Sequence, residues 1–153
     1  MSEHTATVRW ERAGAAFSDN KYSRAHIWEF DEGVAVPASA SPDVVPLPMS
    51  NAAAVDPEEA FVASLASCHM LFFLSIAQKR GYVVDSYVDP AVGWLGKNTA
   101  GRHAVTRVVL RPTATYVGKT PPAEELDKMH HRSHELCFIA NSVTTDVALE
   151  VVS

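Results

Sequence analysis

The sequence predicts an α+β fold, in which runs of antiparallel strands are broken by two helices. Three observations carry that expectation. Period-2 alternation and turn residues mark the first quarter of the chain as a β-meander. One long apolar run, with helix-start and helix-stop residues at its ends, marks a central helix over residues 56–80. Two more alternating stretches are then followed by a second helical pattern and a final strand.

The elements can be justified in order. Val8 and Trp10 alternate with Arg9 and Glu11, and Ser18 to Lys21 supplies turn chemistry. Tyr22 to Phe30 and Val34 to Val36 resume β-type residues on either side of Asp31-Glu32-Gly33, so residues 5–36 read as the meander. Residues 37–55 carry Pro37, Pro42, Pro46 and Pro48 with no surviving period. They read as an irregular loop, long enough for a lid or a dimer-facing segment. Asp56 as N-cap, Pro57 at the first helical position and Glu59 at the capping-box spacing start the central helix. Lys79, Arg80 and Gly81 suit its end. Residues 60–77 are nearly all apolar or small and approach the length of a membrane span. Ser64, Ser67, Cys68, His69 and Ser75 interrupt the run, and a buried central helix is the simpler reading.

Val83 to Leu95 and Val105 to Tyr116 read as two strands of a β-hairpin over 83–116, with Gly96 to Gly101 as its loop. Pro121-Pro122 opens a second helix over 122–137, with Leu126, Met129, Ser133 and Leu136/Cys137 at helical spacing. Val143, Val147, Leu149 and Val151 alternate, which makes 143–152 the last strand.

At 153 residues the chain reads as one domain, 1–153. A net charge of −5 argues against nucleic acid or an anionic membrane as partner, because both select a basic surface. The start lacks the basic and apolar regions of a signal peptide, so a cytoplasmic location is expected. Two cysteines, Cys68 and Cys137, are too few for a disulfide scaffold. In a reducing compartment such a pair is redox-active, metal-binding or simply buried.

Cys68 sits in the middle of the central helix and Cys137 at the end of the second, so packed helices would let the thiols meet. Glu58 lies on the Cys68 side of the helix but about 15 Å back along its axis. It cannot touch the thiol, though it can hold a cation that does, and Arg9, Arg12 and Arg24 in the meander are candidates. A neighbouring arginine turns a thiol into a nucleophile by favouring the thiolate. A Cys/His zinc site would draw on His69, His130, His131 and His134, but no C-x₂₋₄-C pair or H-E-x-x-H pattern is present. His131 and His134 read as solvated, and no metal or other cofactor is expected.

The stretch D-P-E-E-A-F-V-A-S-L-A-S-C-H-M (56–70) resembles the glutamate-and-cysteine element of the OsmC/Ohr family of peroxide-reducing proteins. H-E-L-C-F-I-A-N-S-V (134–143) resembles its second-cysteine element. Phe138 stands where much of the family has proline, and His69 where phenylalanine is frequent. The resemblance implies an intertwined homodimer whose antiparallel sheets wrap two central helices, with no metal and no haem. It implies that Cys68 attacks a peroxide to form a sulfenic acid and that Cys137 condenses with it to a disulfide. An external dithiol, often a lipoylated protein, would reduce that disulfide. A family arginine held by the glutamate activates the thiolate. Arg24, which opens the second strand, and Glu58 fill those places here, while Arg9 and Arg12 read as surface charges. The expected function is reduction of organic, and of hydrogen, peroxides. The alternative is a non-catalytic dimer that binds an apolar ligand or a lipoyl-type partner.

Overall fold

The computed structural model describes residues 1–151. The chain divides into two compact units, residues 1–60 and the remainder from Phe61 onward.

In the first unit, β1 (Thr7–Arg9), β2 (His26–Glu29) and β3 (Ala35–Ala38) form one antiparallel sheet in the order β1-β2-β3. The β2–β3 turn passes through a single 3₁₀ turn at Asp31–Gly33, where Gly33 adopts a φ of 81° that its missing Cβ permits. The proline-rich segment after β3 is clasped at both ends. Val55 N–H donates to Pro37 O and Ser39 N–H donates to Val55 O, both at 3.0 Å. The fully buried Ser39 hydroxyl accepts the Asn51 N–H at 2.9 Å. An irregular segment can stay ordered because its backbone groups find such partners.

Helix α1 (Pro57–Lys79) begins with a reciprocal capping box: Glu59 N–H donates to Asp56 Oδ1 at 2.8 Å and Asp56 N–H donates to Glu59 Oε2 at 3.0 Å. It ends in a Schellman motif, with Tyr82 N–H on Ala77 O and Gly81 N–H on Gln78 O, both at 3.0 Å. Gly81 takes the required left-handed conformation at φ 79°. The helix buries a single stripe at every fourth residue, Leu65, His69, Phe73 and Ala77. The sequence suggests a helix buried all round, but Leu71 is 60% exposed in this single chain.

In the second unit the expected two-stranded hairpin is four strands: β4 (Val83–Val88), β5 (Val92–Lys97), β6 (His103–Leu110) and β7 (Thr113–Val117). Asp89-Pro90 and Arg111-Pro112 break both arms at the same level. Proline offers no N–H to a ladder, and the Asp89 carboxylate takes the Arg111 N–H at 2.7 Å in its place. β4 pairs with β7, and β5-β6-β8 form a three-stranded sheet. Helix α2 (Ala123–Leu136) carries the chain across to β8 (Asp146–Leu149), which pairs parallel to β6. That pairing departs from the antiparallel expectation: a helical crossover returns the strand in the same direction. Residue 152, the end of the expected last strand, lies outside the described residues. Two apolar clusters complete the unit. One is Leu65 with Val108 and Leu110; the other is Phe73 and Ala77 with Tyr82 and Met129.

Gly93 on β5 marks how closely α1 packs on the sheet, since a Cβ there would lie 2.5 Å from Val62 Cγ2. Gly93→Ala is expected to lower the unfolding free energy by about 1–3 kcal/mol, the usual effect of overpacking. Urea denaturation measures it, and an unchanged midpoint would show that Val62 moves aside freely.

Candidate functional site

Cys68 lies at the middle of α1 and is half-buried, and Cys137 caps the C-terminus of α2 with only 1% of its surface exposed. The two free thiols are neighbours, close enough for Cys68 to perturb the Cys137 thiol. The Cys137 N–H closes the last turn on His134 O at 3.3 Å, and the Ala140 N–H donates to Cys137 Sγ at 3.4 Å. Burial pushes the Cys137 thiol up from its ordinary value; the Ala140 N–H opposes that shift and the Cys68 thiol reinforces it. Cys137 is therefore held as a thiol beside Cys68.

Beside the thiols lies a feature that the sequence reading missed. His69 Nε2 and His130 Nδ1 share a hydrogen bond of 3.0 Å between α1 and α2, with the rings parallel to within 6°. His130 also stacks on Phe73 at 4.3 Å. Both imidazoles are buried, at 1% and 3% exposure. Burial lowers His69 to about 3, with His130 and His134 adding to the shift. Burial likewise lowers His130 to about 4, against a small opposing pull from Asp127. Among the described residues the Nδ1 atoms of His69 and His134 are buried without a hydrogen-bond partner. His134 is thus half-buried rather than solvated, while His131 is exposed and pairs with Glu135 at 3.2 Å. A signal was available: His69 falls in register with Leu65, Phe73 and Ala77. Among the described residues no group of three or more His, Cys, Asp or Glu is placed to hold a metal ion.

The first unit positions Arg24. Its guanidinium lies 3.6 Å above the Tyr22 ring and donates to Asn20 Oδ1 at 2.7 Å and Asn20 O at 3.2 Å. Its backbone is held at both ends. Arg24 N–H donates to Met49 O at 2.8 Å, and His26 Nδ1 bonds Arg24 O at 2.7 Å. The Trp28 indole donates to His26 Nε2 at 3.1 Å. An indole N–H can only donate, so Nε2 is the acceptor and the His26 proton sits on Nδ1. Arg24 and His26 border an apolar cavity of about 490 Å³ together with Trp10, Phe17, Tyr22 and Pro57. The other two candidate arginines are engaged elsewhere: Arg9 forms a two-point pair with Glu29 at 3.0 and 3.2 Å, and Arg12 donates to Ala15 O. Glu58 is half-buried in the first turn of α1. Among the described residues it forms no ion pair with Arg24, so the structure brings the two cysteines together but not the expected Arg24–Glu58 pair.

The OsmC-like protein family profile matches residues 50–152. The structure of an OsmC-like protein of unknown function from Vibrio cholerae is 60% identical, with a TM-score of 0.96 over 99% of this chain and 100% of that one. An organic hydroperoxide resistance protein from Legionella pneumophila is 16% identical, with a TM-score of 0.74 over 100% of this chain and 98% of that one. The organic hydroperoxide resistance protein OhrB of Bacillus subtilis is 19% identical, with a TM-score of 0.71 over 99% and 98%. The last two likenesses concern the fold. A comparison with curated protein sequences finds no match.

The buried imidazoles generate a pH dependence. Histidines in the unfolded chain titrate near about 6.5, whereas His69 and His130 stay neutral in the fold down to about 3 and about 4. The unfolded state binds more protons throughout that window, so stability is complete above it and falls as the pH drops through it. Acidifying from about pH 8 to about pH 5 should remove about 2 kcal/mol per ring. Urea denaturation of wild type and His130→Phe at both pH values isolates the histidine contribution; equal losses in the two proteins would contradict it.

Proposed function

We propose, for a chain that belongs to the OsmC-like protein family, a cysteine-based peroxidase that reduces organic hydroperoxides and, in the same chemistry, hydrogen peroxide. The observation that carries this reading is that a half-buried free thiol on α1 neighbours a fully buried one at the end of α2, closely enough to perturb it. Cys68, the more accessible, attacks the terminal peroxide oxygen. The O–O bond breaks, the alcohol leaves, and Cys68 becomes a sulfenic acid. The Cys137 thiol then displaces hydroxide from that sulfur, and its proton completes the water that leaves. A dithiol from outside reduces the disulfide by exchange, returning both thiols and leaving as its own disulfide. No metal or other cofactor takes part in this sequence.

The family names borne by distant structural relatives support a hydroperoxide substrate. Arg24 takes the role of the cation that stabilises the thiolate and the departing alkoxide, with Glu58 as its orienting partner. The homodimer fits α1, an almost wholly apolar helix that buries only one stripe within its own chain. The thiol cycle also fits a reducing, cytoplasmic compartment.

The decisive measurement is consumption of tert-butyl hydroperoxide with dihydrolipoamide as reductant. Cys68→Ser should lower kcat/KM by roughly 10³-fold or more, as loss of a nucleophile does. Cys137→Ser should still form one sulfenic acid per chain, trapped by dimedone, but not the internal disulfide. Wild-type protein that yields neither sulfenic acid nor disulfide would favour the non-catalytic ligand-binding dimer.

A further inference from the structure

We infer that the His69–His130 hydrogen bond is a positioning device that fixes the register of α1 against α2, so that Cys68 and Cys137 meet in a geometry that can close a disulfide. The role rests on the reading of Cys68 and Cys137 as a redox pair.

Both pairs link α1 to α2 or its C-cap. On α1, Cys68 and His69 are adjacent. On α2, His130, Ser133 and Cys137 follow one another at helical spacing on one face, and all three are buried. His130 lies two helical turns before Cys137, about 10 Å along the axis. Elsewhere the helices meet through apolar side chains, Phe73 and Ala77 against Met129. Such contacts are non-directional and tolerate sliding. A bond between two ring nitrogens at 3.0 Å does not tolerate it, because a slip of one residue, about 1.5 Å, carries the pair out of bonding range. Disulfides in turn require Cα atoms about 4.4–6.8 Å apart and a narrow dihedral range. One polar bond in an apolar contact thus selects one register, as a buried asparagine does in a coiled coil.

The arrangement is not the most stabilising choice for that site. Among the described residues it leaves His69 Nδ1 buried without a partner, and an unpaired buried polar atom is destabilising. An apolar pair of the same shape would hold the helices together at least as tightly. What it would lack is direction. The titratable groups that face the pair are His134 and, toward His130, Asp127, both on α2.

The test needs no peroxide. The equilibrium Cys68–SH + Cys137–SH + GSSG ⇌ Cys68–S–S–Cys137 + 2 GSH is measured at fixed glutathione ratios by mass spectrometry, for wild type, His130→Leu and His130→Asn. The asparagine amide places a polar atom where Nδ1 stood, whereas leucine fills the space without one. His130→Leu should shift the equilibrium toward the dithiol about tenfold, about 30 mV for a two-electron couple. Its thermal midpoint should not fall, and His130→Asn should restore most of the disulfide. A wild-type equilibrium constant in His130→Leu would overturn the proposal. So would a shift that asparagine does not rescue and that follows a lowered thermal midpoint, since that is a purely structural effect. A disulfide that forms with glutathione in a protein that never turns over peroxide would sink the peroxidase reading and leave this one standing. No wild-type disulfide under any glutathione ratio would overturn both.

Discussion

The second unit depends on the single stripe that α1 buries. Leu65 anchors the upper end against Val108 and Leu110 of β6, and Phe73 and Ala77 anchor the lower end against Tyr82 and Met129. A stripe one residue wide at every fourth position holds a helix against one surface and leaves the rest of its circumference to other contacts. Sheet and second helix are both sited by that stripe, and His69 is its only polar member. The place where polarity enters the stripe is also the place where the second helix is bonded to the first.

Most of α1 was legible because its instructions are local. Asp56, Glu59 and Gly81 act within one turn of the helix ends, and their hydrogen bonds form as the residue types require. The four strands of the second unit were partly legible: Pro90 and Pro112 stood in the expected strands as visible breaks, but the repair by Asp89 joins residues far apart in sequence. The parallel β6–β8 pairing was not legible, since alternation gives a strand its faces and says nothing of its partner's direction. For the site, resemblance supplied the cysteines and chemistry alone left them ambiguous. The histidine pair escaped because the rings were weighed as metal ligands, not as members of a buried face.

The arginine illustrates a different limit. Composition offered three candidates, and a strand pattern placed Arg9 outward, where it pairs with Glu29. Nothing in the pattern could reveal that Arg24 has its carbonyl fixed by a histidine of known tautomer, its N–H by Met49 in the proline-rich segment, and its guanidinium by a ring. Those partners are set by a clasped irregular loop whose closure depends on Ser39 and Val55. A preorganised cation is worth more than a mobile one, because no side-chain ordering is left to be done when charge develops nearby.

The difference between the thiols follows from where each helix places them. A residue at mid-helix on the flank of a buried stripe keeps part of its surface open, as Cys68 does. A residue at the C-cap turns inward as the chain leaves the helix, and desolvation then favours its neutral form. In the proposed cycle a Cys137 held as a thiol is a poor nucleophile toward an oxidant, because the thiolate is the reactive species. In that cycle it would also carry the proton that a departing hydroxide needs. In the proposed peroxidase, burial would then assign the order of reaction of the two thiols.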